Sequence, residues 1–88
     1  MDLKEIREKI NLIDKEMATL FQKRMDAVAL VAKYKKENNL SILDAKREEE
    51  VIKRNLSYVS YELKNYYVKL QKELMELSKQ YQQEIIEK

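Results

Sequence analysis

The 88-residue sequence contains no Cys, His, Trp, Gly or Pro. Without Cys or His there is no zinc finger, iron-sulfur or haem ligand set, disulfide framework or thiol nucleophile, and neither a Ser-His-Asp nor a Cys-His triad can form. Metal chemistry would fall to carboxylates alone. The lack of Gly removes the phosphate-cradling loops of the P-loop and dinucleotide types, which bring backbone at positive φ close to their ligand. No apolar run approaches the roughly 18 residues of a membrane span. Met1-Asp2-Leu3-Lys4-Glu5 has none of the basic-then-apolar character of a secretory signal, so a soluble cytoplasmic protein with no membrane partner is expected. An excess of one charge is missing too. The 18 basic and 16 acidic residues give a net charge of +2 and alternate along the whole chain, which leaves no basic stripe for nucleic acid.

What remains is rich in Lys, Glu, Leu, Ile and Gln, and with neither strong chain punctuator present it predicts long helices joined by short polar turns. The fold class is therefore all-α. A hydrophobic content of 44% is globular rather than disordered despite 39% charged residues. From Ile6 the positions Ile10, Ile13, Met17, Leu20, Arg24, Ala27, Val31, Tyr34 and Asn38 follow in alternating steps of four and three, a heptad-like helix over about 2–38. At about 1.5 Å per residue it is roughly 55 Å long, against the ~13 Å radius of gyration of a compact domain near this size. Its far end needs a partner, most economically a second copy related by two-fold symmetry.

Asn38, Asn39 and Ser41 supply the turn chemistry after this helix. Asp44 then stands as N-cap of a short second helix over 44–56. Ser57-Tyr58-Val59-Ser60 is a second break in which either Ser can cap a third helix over about 60–86, with Leu63, Tyr67, Leu70, Leu74, Leu77 and Tyr81 at helical spacing. There is no repeat, low-complexity tract or linker, so residues 1–88 are expected to form a single domain.

Several polar residues sit against this pattern. Arg24 occupies a seam position between Leu20 and Ala27 that asks for an apolar side chain. At 100° per residue, Arg24, Val28, Val31 and Lys35 share one stripe of helix one, the two cations about 16 Å apart. On helix two, Asp44, Arg47 and Glu48 share a face; on helix three, Leu74, Ser78 and Gln82 do. If these faces converge they enclose a cationic polar pocket. Each residue also has an ordinary reading. A seam Arg can set register or reach solvent along its stem, Arg7 and Lys35 can be solvated helix residues, and Asp44, Arg47 and Glu48 can be a cap with surface ion pairs.

In order along the chain, these positions resemble the all-helical, AroQ-type chorismate mutases. Ile6-Arg7-Glu8-Lys9-Ile10 with Ile13-Asp14 is similar to that family's opening signature, and Leu20-Phe21-Gln22-Lys23-Arg24 through Val28, Val31 and Lys35 resembles its next stretch. Leu43-Asp44-Ala45-Lys46-Arg47-Glu48 is similar to the segment that follows, and Leu74 to Gln82, with Ser78 and Gln82 fixing the register, resembles the closing one. Two departures are the short segment Asn55 to Ser60 and the absence of Gly and Pro from the whole chain; in the alignment of helix three, Gln71 stands where relatives often carry an apolar residue.

The resemblance implies an intertwined homodimeric helical bundle with two shared active sites. It implies that chorismate is the substrate, rearranged to prephenate on the route to phenylalanine and tyrosine, without a cofactor, metal or covalent intermediate. By resemblance Lys35 and Gln82 are catalytic, donating to the breaking ether oxygen. Arg24, Asp44, Arg47, Glu48 and Ser78 bind substrate together with Arg7 from the partner protomer. Two other readings fit the same residues: removal of pyruvate from isochorismate on the same fold, and a noncatalytic helical dimerisation module for which the heptad seam alone suffices.

Overall fold

A computed structural model describes residues 1–88 and is helical throughout, without a strand. Helix α1 spans Leu3–Glu37. It starts where Asp2 takes the N-cap, its carboxylate accepting from the Glu5 N–H at 2.9 Å, and it carries Glu5 in its first turn and Lys35 and Lys36 in its last, as the helix dipole favours. Its end is a Schellman motif. The Leu40 N–H reaches back to the Lys35 carbonyl and the Asn39 N–H to that of Lys36, with Asn39 at φ 55° in the left-handed position usually given to Gly. Asn is the residue after Gly that tolerates this conformation best, so a chain without Gly can still turn here.

Helix α2 spans Ala45–Asn55, with Asp44 as its N-cap accepting from the Arg47 N–H at 3.1 Å. It tightens into a 3₁₀ turn over Leu56–Tyr58; a second 3₁₀ turn, Tyr61–Leu63, leads into α3 over Lys64–Glu87. The sequence places the start of the third helix at about 60 under a Ser cap, and the structure differs. The Ser57 hydroxyl instead donates back to the Arg54 carbonyl at 2.7 Å, and the Ser60 side chain caps nothing. The first three residues therefore wind as 3₁₀, and α3 proper begins without a side-chain cap.

The single chain is a thin, elongated object. α1 alone accounts for its 54 Å long dimension, and the radius of gyration is 16.1 Å against roughly 12–13 Å for a compact domain of this length. α3 packs against both α1 and α2, whereas α1 and α2 do not pack on one another. Residues 1–23 are all exposed, so only the C-terminal part of α1 meets the rest of the chain. Five residues are buried, and just two of these, Ala32 and Met75, are apolar. The other three are Gln71, Ser78 and Gln82, so the inward stripe of α3 is mostly polar. Of the apolar positions at helical spacing, Leu63, Leu70, Leu77 and Tyr81 stay exposed, about 100° around the helix from the buried set, while Tyr67 and Leu74 are half-buried.

Polar burial of this kind requires partners. Gln71 finds one in Asn55, whose Nδ2 donates to Gln71 Oε1 at 2.8 Å, tying the end of α2 to α3. This explains why an amide stands where the third helix would otherwise carry an apolar side chain. The accessible surface is 7447 Å² for a 10.6 kDa chain. A folded monomer of that mass exposes roughly 5,500 Å². The excess is about 1,900 Å², and the exposed large apolar side chains include Ile6, Ile10, Ile13, Met17, Leu20 and Phe21 of α1 and Leu63, Leu70 and Leu77 of α3. No helix is long and apolar enough to cross a membrane.

Candidate active site

Because α1 and α2 are held apart on a common floor of α3, an open cleft of about 360 Å³ lies among them. Arg24, Val28, Val31 and Lys35 form the α1 wall, one residue per turn along the stripe expected from the sequence. Asp44, Arg47 and Glu48 line the α2 wall, with Val51 below them, and Met75, Ser78 and Gln82 rise from α3. Seven of the eight residues singled out in the sequence therefore come together in one chain. Arg7 does not line the cleft. It lies seventeen residues before Arg24, about 25 Å away along the helix axis.

The polar contacts sort these side chains by what they have left to offer. Arg24 Nη1 donates to Ser78 Oγ, and the Ser78 hydroxyl in turn donates to the Leu74 carbonyl at 2.6 Å. Ser78 thus gives its proton to its own helix and one of its two lone pairs to Arg24, which holds the guanidinium in place. The other guanidinium N–H groups remain for an incoming anion. Lys35 Nζ donates to the Ile42 carbonyl at 2.8 Å, which ties the α1–α2 turn to α1 and fixes the ammonium while leaving two of its protons. Asp44 is occupied as the cap of α2, its carboxylate at the rim. Gln82 is 6% exposed, and its Oε1 is buried with no hydrogen-bond partner in the chain. An orphaned amide oxygen of this kind costs about 1–3 kcal/mol, which a donor from a ligand or a second chain would offset.

Three polar cleft residues were not anticipated, Arg54, Asn55 and Lys79, nor were the apolar Ile42, Val51 and Met75. Arg54 had a visible signal, since it follows Arg47 and Val51 at helical spacing on the same face of α2. Lys79 had none, because its partner is 31 positions away. Its Nζ lies 3.2 Å from Glu48 Oε2 and 3.6 Å from Glu76 Oε2. The hydrogen bond to Glu48 raises the Lys79 pKa above its ordinary value; desolvation, the next largest effect, opposes it, and the charges of Glu48 and Glu76 add to the rise.

Charge is concentrated here. Five cations, Arg24, Lys35, Arg47, Arg54 and Lys79, face two acids, Asp44 and Glu48, for a local charge of +3. With +2 on the whole chain, everything outside the cleft sums to −1. No group of three acidic side chains converges anywhere to hold a metal ion. The cleft is built to receive an anion of low charge, with guanidinium forks suited to carboxylates and apolar Val28, Val31 and Val51 beside them.

Comparison with known families decides the assignment. The family model for chorismate mutase type II matches residues 6–83, which is 78 of the 88 positions. The chain belongs to this family. Membership in the chorismate mutase type II family supports an isomerase reaction on chorismate in general terms, and the match runs from the opening heptads through Gln82. Among curated proteins and among solved structures, the chain finds no match.

Proposed function

We propose that the protein is a chorismate mutase that converts chorismate to prephenate on the route to phenylalanine and tyrosine, with residues 1–88 forming one such domain. The observation that carries this reading is the cleft of charge +3, in which Arg24, Lys35, Arg47, Glu48, Ser78 and Gln82 lie beside Arg54, Lys79 and Asp44, inside a chain of this family. The reaction is an intramolecular Claisen rearrangement in which one carbon-carbon bond forms as one ether carbon-oxygen bond breaks. Atoms are conserved and no proton leaves the substrate. The protein's share is to gather a flexible dianion into its folded conformer and to stabilise charge in the transition state.

In this reading Arg24 and Arg47 take the two carboxylates, and Glu48 accepts from the ring hydroxyl. Lys35 and Gln82 are the donors for the ether oxygen, on which negative charge grows. An acceleration of roughly 10⁶ requires about 8 kcal/mol off the barrier. Two preorganised donors at about 3–4 kcal/mol each, with conformer restriction, reach that figure.

The same proposal includes an intertwined homodimer. The bare first 23 residues, the 1,900 Å² of excess surface and the distance of Arg7 from its own cleft all support it. A two-fold pair covering that excess would bury about 3,800 Å² in total, within the range of obligate dimers. Arg7 would then complete the partner's cleft with a sixth cation. A helical dimerisation module without catalysis needs only the seam and gives no reason for the concentration of charge between α1 and α2. Incubation with chorismate and, separately, with isochorismate tests the reading. Prephenate from chorismate is expected; salicylate and pyruvate from isochorismate alone would transfer the assignment to the lyase. Arg7→Ala and Arg24→Ala should each be inactive, and mixing them should restore activity, because one of the two hybrid sites is intact. Failure of restoration despite demonstrated subunit exchange would refute the shared site.

A further inference from the structure

The residue that most needs a role is Lys79. It is the one cleft cation engaged with a cleft carboxylate, and it comes from a different helix than that carboxylate. Its Nζ stands 3.2 Å from Glu48 Oε2 and 3.5 Å from Oε1, so it straddles both oxygens, while Glu76, one turn earlier on α3, steadies the ammonium from the other side at 3.6 Å. Both the Lys79 and Glu48 side chains are 28% exposed, which places the pair at the cleft wall rather than free in solvent. Glu48 makes no other ion pair, although four more cations line the same space. A carboxylate there without Lys79 would fold onto the nearest of them and neutralise a charge the substrate needs.

We propose that Lys79 is a positioning residue for the mutase reaction: it holds Glu48 at the α2 wall as an acceptor for the substrate hydroxyl and keeps Glu48 off the cations that bind the substrate carboxylates. This rests on the mutase reading above. Lys79 touches no reacting atom and acts only through Glu48. The effect belongs mainly to substrate binding, since what is lost without Lys79 is the correct placement of one acceptor and the availability of one cation.

The test is a cycle of four proteins assayed with chorismate: the wild type, Lys79→Met, Glu48→Gln and the double variant, with Lys79→Arg alongside. Lys79→Met is expected to raise KM about tenfold with a smaller change in kcat, at unchanged helicity and mass in solution. Lys79→Arg should recover most of the loss, because a second cation can span the same carboxylate. In the Glu48→Gln background, the Lys79→Met change should alter kcat/KM less than about twofold, because a neutral amide has no tendency to collapse onto a cation. Full additivity of the two losses, or wild-type kinetics for Lys79→Met, would overturn the proposal while leaving the mutase assignment intact. If the wild type does not convert chorismate, that assignment fails, and the pairing is read without turnover. The Lys79 Nζ titration followed by NMR should fall toward that of an ordinary lysine in Glu48→Gln, and an unmoved titration would overturn the pairing as well.

Discussion

A single charge in the α1 seam should take the protein apart. Ile13 is 53% exposed in the isolated chain, so about half of its burial is left for a partner to complete. Full burial of an Ile is worth about 1.5–3 kcal/mol, and half of that is roughly 1 kcal/mol. In a two-fold dimer each substitution occurs twice, so Ile13→Ala should weaken association by about 2 kcal/mol, near thirtyfold in Kd. Ile13→Glu adds the desolvation of two unpaired carboxylates at several kcal/mol each. Together these exceed about 7 kcal/mol, a factor of 10⁵, enough to turn a nanomolar dimer into a chain that is monomeric at 10 µM. Sedimentation equilibrium reads this directly: twice 10.6 kDa for the wild type and 10.6 kDa for Ile13→Glu. Helicity should fall with the mass, since the lone chain buries only Ala32 and Met75 as apolar core. A wild type that sediments as a stable, fully helical 10.6 kDa species would refute the reasoning, as would an Ile13→Glu variant that keeps the dimer mass.

Three further outcomes are expected. Asn55→Ala leaves Gln71 Oε1 buried without its 2.8 Å donor and should cost about 1–3 kcal/mol in urea unfolding, while replacing both residues with Leu should be close to neutral; equal destabilisation by both changes would count against the pair. Because the Lys79 pKa is raised in the folded state, its contribution to stability is complete below the unfolded value of about 10.5 and is lost as pH climbs through the folded value. Glu48→Gln, which removes the chief cause, should flatten that alkaline loss, and an unaltered alkaline limb in urea titrations at several pH values would be the contrary result. Gln82→Glu should turn over chorismate mainly at acid pH, since a carboxyl donates a hydrogen bond only when protonated, and a pH profile identical to that of the wild type would remove Gln82 from the ether oxygen.

The helices themselves were legible from periodicity, and α1 and α2 end within a residue of their expected bounds because Asp2, Asp44 and Asn38-Asn39 are strong local signals. The start of α3 was not, because the Ser57 hydroxyl competes for the Arg54 carbonyl and a cap cannot be told from that alternative by residue type alone. The cleft was legible wherever its residues share a helix face: Arg24 with Lys35, Asp44 with Arg47 and Glu48, Ser78 with Gln82. What periodicity cannot give is pairing between helices. The Lys79–Glu48 and Asn55–Gln71 contacts join positions 31 and 16 apart and depend on how α2 lies on α3. Leu63, Leu70 and Leu77 of α3 stay exposed in the single chain, and the inward face went to two amides, a hydroxyl and Met75, which periodicity alone does not distinguish from an apolar face.

The loss of chorismate absorbance on adding the purified protein, with the product identified by chromatography, reports on the chemistry of the cleft. Stoichiometric prephenate is expected, suppressed in Lys35→Ala at unchanged helicity and mass. A folded, dimeric wild type that leaves chorismate intact, or a Lys35→Ala variant as fast as the wild type, would contradict it.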